Sequence, residues 1–138
     1  MIISAEEFKR LRESEIPEEY HRAANEEAST SVWLDVIEKF PDLKVWVVHN
    51  KRIPLEILTI LANDPDIAVR ERVARTRKII DTELFNVMAN DPEEKVRYAL
   101  ACNTNMSIGH LGKISQHGSQ WFQSALKERW EYLNKHGK

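Results

Sequence analysis

Cysteine, glycine and proline are scarce in this sequence: its 138 residues include one Cys, four Gly and five Pro. A lone cysteine excludes an internal disulfide framework and fits a reducing compartment, so we expect a cytoplasmic protein. No apolar run approaches the ~20 residues that a membrane span needs, and no signal-peptide pattern opens the chain. Because helix breakers are few and aliphatic residues recur every three to four positions, the sequence predicts an all-α fold.

Patterns of catalysis and of cofactor binding are also missing. The sequence contains no glycine-rich phosphate loop, no Ser–His–Asp signature and no pair of side chains at metal-ligand spacing. Cys102 lies next to core residues on a predicted helix and is interpreted as a small packing residue. We therefore expect a protein that is not an enzyme and that holds no metal or other cofactor.

The net charge of −2 is small, but the charges are unevenly distributed. Residues 1–28 hold eight acids against four bases, whereas residues 69–78 hold five bases against one acid. No global attraction to nucleic acid follows from such a balance. Patches of both signs favour a protein partner over a polyanion.

An internal repeat is the strongest feature of the sequence. Residues 61–65 read Leu-Ala-Asn-Asp-Pro, and residues 88–92 read Met-Ala-Asn-Asp-Pro, at a spacing of 27. The Val-Arg pair at 69–70 returns at 96–97 with the same spacing. An apolar helical pattern precedes and follows each Asn-Asp-Pro, so each copy predicts a helix, a tight turn and a second helix. A fixed period in this range is typical of stacked helical repeats.

The stretch from Leu58 to Ala74, which follows the pattern L-x-x-L-A-x-D-P-D-x-x-V-R-x-x-V-A, resembles the leucine-rich repeat variant family, a relative of HEAT repeats. The resemblance covers about residues 31–130. It implies a right-handed α-solenoid with a binding role, and it implies no catalytic mechanism.

The repeat register divides the chain, which we interpret as a single domain. We predict an N-terminal helical cap over residues 1–30, followed by four helix pairs at 31–52, 53–79, 80–105 and 106–133. Residues 45–48 read Val-Trp-Val-Val and could pass for a strand, but the register predicts a helix there. Three glycines fall in the last repeat, so its first helix should be short, and Phe122, Leu126, Trp130 and Leu133 should form the buried stripe of its second.

Each Asn-Asp-Pro predicts the start of a helix. Asp64 and Asp91 are expected to accept hydrogen bonds from the first helical amides, with proline at the first helical position. Glu94, three residues after Asp91, completes a capping-box pattern. Arg70 and Arg97 follow core valines; they could contact phosphate, but in HEAT-like stacks such an arginine usually pairs with an aspartate in the turn of an adjacent repeat.

Thr76 and Asn103 occupy equivalent positions at the ends of second helices, and counting back by 26 places Asn50 there too. Asparagine tolerates the left-handed conformation that often closes a helix. We therefore predict that Asn103 ends its helix in this way.

Side chains outside the core stripe of the second helices are the candidates for a binding surface. In HEAT-like solenoids these helices line the concave face, and here they carry residue types that are common at the centres of interfaces. The candidate partner-binding residues are Trp46, His49, Arg72, Arg75 and Tyr98. The alternative for Trp46 is that it packs beneath the N-terminal cap.

The sequence thus predicts a non-catalytic module that binds another protein on its concave face. A nucleic-acid-binding solenoid is the second hypothesis, with a basic track of Lys51, Arg52, Arg72, Arg75, Arg77, Lys78 and Lys113. A third hypothesis, by analogy only, is a neutraliser of a bacterial toxin.

Overall fold

A computed structural model describes residues 1–136, and over that range the protein contains ten α-helices and no strand. The chain divides into two compact units, Met1–Leu61 and Ala62–Lys138. The first unit contains α1 (Ala5–Glu13), α2 (Pro17–Asn25), α3 (Thr30–Lys39), α4 (Lys44–His49) and α5 (Leu55–Leu61). The second contains α6 (Ile67–Ala74), α7 (Glu83–Ala89), α8 (Glu94–Ala101), α9 (Ile108–Leu111) and α10 (Gln120–His136). No helix among the described residues is long and apolar enough to cross a membrane.

In the first unit, α1 packs against α2 and α3, and α3 packs against α4 and α5. Phe8 and Trp33 are fully buried and meet edge to face, with their ring centroids 5.1 Å apart. Ser4 is the N-cap of α1, because its hydroxyl accepts a hydrogen bond from the Glu7 amide. The strand-like residues 45–48 lie within α4, which confirms the helical prediction.

A carboxylate at the end of α2 is held in its ionised form. The guanidinium of Arg22 donates to Glu26 at 2.5 and 3.2 Å, and the N-terminal ammonium lies 2.9 Å from the same carboxylate. These contacts lower the pKa of Glu26 to about 2, with the hydrogen bond from Arg22 as the largest cause. A carboxylate whose pKa is lower in the folded than in the unfolded state stabilises the fold at pH values above its unfolded-state pKa. This stabilisation is lost as the pH falls through the folded-state pKa.

We therefore expect Glu26→Gln to flatten the dependence of the unfolding free energy on pH between about 4.5 and about 2. Urea titrations at several pH values in this window measure that slope. Glu27→Gln is the matched control, because Glu27 is an exposed neighbour that forms no ion pair within residues 1–136. Equal slopes for wild type and Glu26→Gln would show that the ion pairs of Glu26 do not contribute to folding.

In the second unit, α8 packs against both α6 and α10. Phe122, Leu126 and Leu133 bury one side of α10. Trp130 is 46% exposed, so its predicted place in the buried stripe is wrong. Trp130 lies eight positions after Phe122, and the 100° turn per residue of an α-helix carries its side chain away from the buried face. The four-residue α9 confirms the prediction of a short helix near the glycines.

The two Asn-Asp-Pro turns share one geometry, but it is not the predicted one. The Asp64 carboxylate accepts from the Asp66 amide, and the Asp91 carboxylate accepts from the Glu93 amide, each at 2.9 Å. These side-chain turns place the prolines before the helices, which begin at Ile67 and Glu94 rather than at Pro65 and Pro92. Asp66 is the residue that caps α6, through the Ala68 amide.

Glu94 has a different role from the predicted capping box. Its carboxylate accepts from the Ser119 amide at 2.9 Å and from the Ser119 hydroxyl at 2.6 Å, and that hydroxyl in turn accepts from the Phe122 amide. These hydrogen bonds tie the start of α10 to α8. Gly118 is required beside them, because a Cβ atom there would lie 2.9 Å from the Phe122 ring and 3.0 Å from the Glu94 carboxylate.

Arg70 links the two turns. Its guanidinium donates to the Asp91 carboxylate at 2.9 and 3.3 Å and to the Asp64 carbonyl at 2.9 Å. For Arg97 the structure differs from the prediction, since this 3% exposed side chain forms no ion pair within residues 1–136. It donates to the Ser115 carbonyl at 2.7 Å and lies over the Phe122 ring, 4.6 Å from its centroid. The physical reason is that the next repeat supplies no aspartate for Arg97. The positions 26 residues after Asp91 and Pro92 are occupied by His117 and Gly118.

Asn50 and Asn103 perform the same task, one in each unit. The side-chain amide of Asn103 donates to the carbonyls of Ala74 and Thr76, and that of Asn50 donates to those of Ala23 and Glu26, all at 2.8–3.0 Å. No residue in the range 1–136 has a positive φ, so the predicted left-handed end at Asn103 is wrong. The side-chain amide binds the end of a neighbouring helix instead.

Candidate functional site

The predicted partner-binding residues belong to both units. Trp46 and His49 lie on α4 in the first unit, whereas Arg72, Arg75 and Tyr98 lie in the second. The five residues therefore fall into two groups, one in each unit.

Two aromatic side chains meet on the surface of the second unit. Tyr98 on α8 is half-buried, and Trp121 at the start of α10 is 56% exposed. Their ring centroids are 5.1 Å apart with an interplanar angle of 57°. The aromatic pair keeps a large ring in solvent, and such a ring is well suited to anchor a partner.

The hydroxyl of Tyr98 interacts with Cys102 and Arg75, which follow α8 and α6, and with Glu128 on α10. The pKa of Tyr98 is raised, first by its hydrogen bond with Cys102 and then by its electrostatic interaction with the same residue. Arg75 acts in the opposite direction and Glu128 in the same direction. The phenol therefore stays neutral and keeps its proton for hydrogen bonding near physiological pH. We call Arg75, Tyr98 and Trp121 the aromatic surface.

Arg72 lies one helical turn before Arg75 and is exposed. Its own carbonyl accepts a hydrogen bond from the Thr76 hydroxyl at 3.3 Å, which orders the end of α6. The structure thus places two exposed guanidinium groups near the end of α6.

In the first unit, Trp46 is partly covered by the N-terminal helices. The Arg12 guanidinium lies over the Trp46 ring, 3.6 Å from its centroid. The His49 ring meets the Trp46 ring edge to face, with the two centroids 5.7 Å apart. The alternative considered for Trp46, packing beneath the N-terminal cap, therefore describes its contact with α1. A cavity of about 340 Å³ remains beside these side chains.

The predicted basic track is exposed along its length but is split between the units. Lys51 and Arg52 follow α4 in the first unit, and the remaining members lie in the second. Those remaining members are Arg72, Arg75, Arg77, Lys78 and Lys113. An acidic side chain lies near Arg75, since Glu128 interacts electrostatically with the same Tyr98 hydroxyl.

Among residues 1–136, no three His, Cys, Asp or Glu side chains are grouped so that they could hold a metal ion. Comparison of the chain with known protein families, with curated proteins and with solved structures finds no match.

Sequence reasoning missed two residues of these sites. Trp121 was overlooked because counting by 26 from Tyr98 leads to Ser124, whereas the contact is made one turn earlier on α10. The available signal was a large aromatic residue directly beside the buried stripe that begins at Phe122. Arg12 carried no signal, since it lies among several charged residues on α1.

Proposed function

We propose that the protein is a non-catalytic module that binds another protein through the aromatic surface of its second unit. The contact of the exposed Trp121 ring with the half-buried Tyr98 ring, beside Arg75, is the observation that carries this proposal. Tyrosine, tryptophan and arginine are the residue types most enriched at energetic centres of interfaces. An apolar ring next to a neutral hydroxyl and a planar cation can both bury area and fix the orientation of a partner.

The proposed architecture is a right-handed α-solenoid of HEAT-like helix pairs. Support comes from contacts in the second unit that connect equivalent points of successive repeats. Arg70 joins one Asn-Asp-Pro turn to the next, and Asn103 joins the end of one second helix to the end of the preceding one. In such a stack the second helices form one row, to which Arg75, Tyr98 and Trp121 belong.

Substituting Trp121 is the sharpest test. We expect Trp121→Ala to weaken partner capture by about thirtyfold, as for an interface residue worth about 2 kcal/mol. The melting temperature should change little because the side chain is mostly exposed. The partner is first captured from native host lysate on the immobilised wild type, and its affinity for each variant is then measured after purification.

Trp130→Ala is the matched control, because Trp130 is an exposed tryptophan on the same helix that lines a different groove with Leu111 and Leu126. This variant should bind like the wild type. An equal loss of affinity in both variants, or a loss in Trp130→Ala alone, would show that the partner does not bind at the surface around Tyr98. Capture of nucleic acid with a steep salt dependence would instead support the second hypothesis.

A further inference from the structure

The cavity in the first unit is built from three helices. Arg12 and Ser14 come from the end of α1, three further residues from α2, and the remaining two from α4. Its volume of about 340 Å³ falls within the range of small-molecule sites, although at the low end. The lining residues are Arg12, Ser14, Tyr20, His21, Ala24, Trp46 and His49.

Arg12 brings a positive charge into this cavity. Arg12 forms no ion pair within residues 1–136, and no carboxylate lines the cavity. Its neighbours on α1 differ, since Lys9 pairs with Glu13 and Arg10 pairs with Glu19. Ser14 donates its hydroxyl to Glu19, so this nearby carboxylate is already engaged by two partners.

The stacking of Arg12 on Trp46 orients its hydrogen-bond donors. A cation–π contact uses the flat face of the guanidinium, whereas its five N–H groups point outward in the plane. The contact therefore holds the group in one orientation without occupying those donors. A planar guanidinium presented in this way matches the two oxygens of a phosphate or a carboxylate.

Aromatic rings form much of the remaining wall. Tyr20 and His21 meet edge to face at 4.9 Å, and His49 meets Trp46 in the same manner at 5.7 Å. Such walls accept the flat face or the edge of another ring. The Tyr20 hydroxyl is a further group that can donate to an oxyanion.

We propose that this cavity, which we call the Arg12 pocket, binds a small aromatic oxyanion: a single ring that carries a phosphate or a carboxylate. Arg12 donates hydrogen bonds from its guanidinium N–H groups to the oxyanion, and the aromatic ring of the ligand lies against Tyr20, His21 and His49. This site is separate from the aromatic surface and does not depend on the proposed function of the second unit.

Titration with phenyl phosphate and with benzoate, followed by ¹H–¹⁵N NMR, tests the proposal and distinguishes the two oxyanions. At least one of them should cause saturable shifts at the Trp46 indole N–H and at the amides of α2 and α4. Inorganic phosphate should bind more weakly than phenyl phosphate, because it lacks the ring. Shifts that fail to saturate, or that saturate equally well with inorganic phosphate, would overturn the assignment of an aromatic ligand.

Two variants test the residues. Arg12→Lys keeps the charge but loses the planar fork, and it should weaken binding by about tenfold or more. His21→Glu is independent of the Trp46 contact and places a carboxylate in the wall at an exposed position, so it should abolish binding. Arg10→Lys is the matched control, as an arginine on the same helix outside the pocket. Unchanged affinity in His21→Glu, or in a folded Arg12→Lys, would refute the site.

Discussion

Replacing Arg70 with methionine is expected to lower the free energy of unfolding by about 3 to 5 kcal/mol, as is usual when one partner of a buried ion pair is removed. Asp91 is only 7% exposed, and in this variant it retains a hydrogen bond from the Glu93 amide but no counter-charge. The Asp64 carbonyl also loses its donor. Urea unfolding of wild type and variant at neutral pH measures the difference.

Arg97→Met is the matched control for this prediction. Arg97 occupies the equivalent position in the next repeat and is buried, but it faces a carbonyl and an aromatic ring rather than a carboxylate. Replacing a buried charge by an apolar side chain removes the cost of desolvating that charge, which offsets part of the lost contacts. We therefore expect a change within about 1 kcal/mol, because only one net hydrogen bond is lost. A loss equal to that of Arg70→Met would show that the ion pair is not what distinguishes the two positions.

A second substitution at the ion pair separates charge from packing. Adding Asp91→Asn to Arg70→Met removes the buried charge while keeping an oxygen that can accept from Glu93. The double variant should therefore be more stable than Arg70→Met alone. If it is less stable, the loss in the single variant comes from packing and from the carbonyl bonds of Arg70.

Asn103→Ala is the other substitution with a large expected effect, about 2 to 4 kcal/mol, from three hydrogen bonds at roughly 1 kcal/mol each. The Asn103 side chain is 1% exposed, donates to two carbonyls and accepts from the Asn105 amide at 2.9 Å. Its loss leaves the Ala74 carbonyl without this donor at a buried helix end. Thermal and urea unfolding both report the change.

Asn105→Ala is the control, since Asn105 is exposed and makes only a long side-chain contact of 3.4 Å to the Arg77 carbonyl. We expect a change of about 0.5 kcal/mol or less, as for most surface substitutions. A similar loss in both variants would mean that the segment tolerates no substitution and that the side-chain amide of Asn103 has no special role.

The repeat register identified the position of Asn50 and Asn103 but not what these residues do. Spacing alone placed them at the ends of second helices. Whether an asparagine there adopts a left-handed backbone or extends its amide to another helix depends on what lies next to it. In both units a helix end with unsatisfied carbonyls lies within reach, so the side chain takes the second role.

The same limit explains the shifted helix starts. Asp-Pro is a good local signal for the beginning of a helix, and the helices do follow Pro65 and Pro92 closely. A carboxylate can bond the amide two residues ahead as well as the first helical amides, and here the shorter turn forms. Local sequence does not determine which of these two hydrogen-bond patterns forms. At Asp91 the shorter turn also leaves the carboxylate bonded to the guanidinium of Arg70, which lies 21 residues earlier in the chain.

For the candidate sites, the sequence indicated on which helices the candidate residues lie, but not which side chains they contact. Tyr98 and Trp46 stand out in the sequence as large side chains off the core stripe. Their contacts with Trp121 and Arg12 depend on how the helices of each unit are rotated and staggered. A repeat period fixes equivalent positions along the chain, whereas these contacts join positions that are not equivalent.

Site-specific photo-crosslinking tests the central claim, protein binding at the aromatic surface, most directly. A photo-reactive amino acid is placed at position 124, an exposed residue one helical turn after Trp121 on α10, so that Trp121 itself is kept. A second sample carries it at position 130, and both are irradiated in native host lysate. We predict a discrete adduct from position 124 that is resistant to nuclease, with no such adduct from position 130. An adduct from position 130 alone, or a nuclease-sensitive adduct from position 124, would contradict the account.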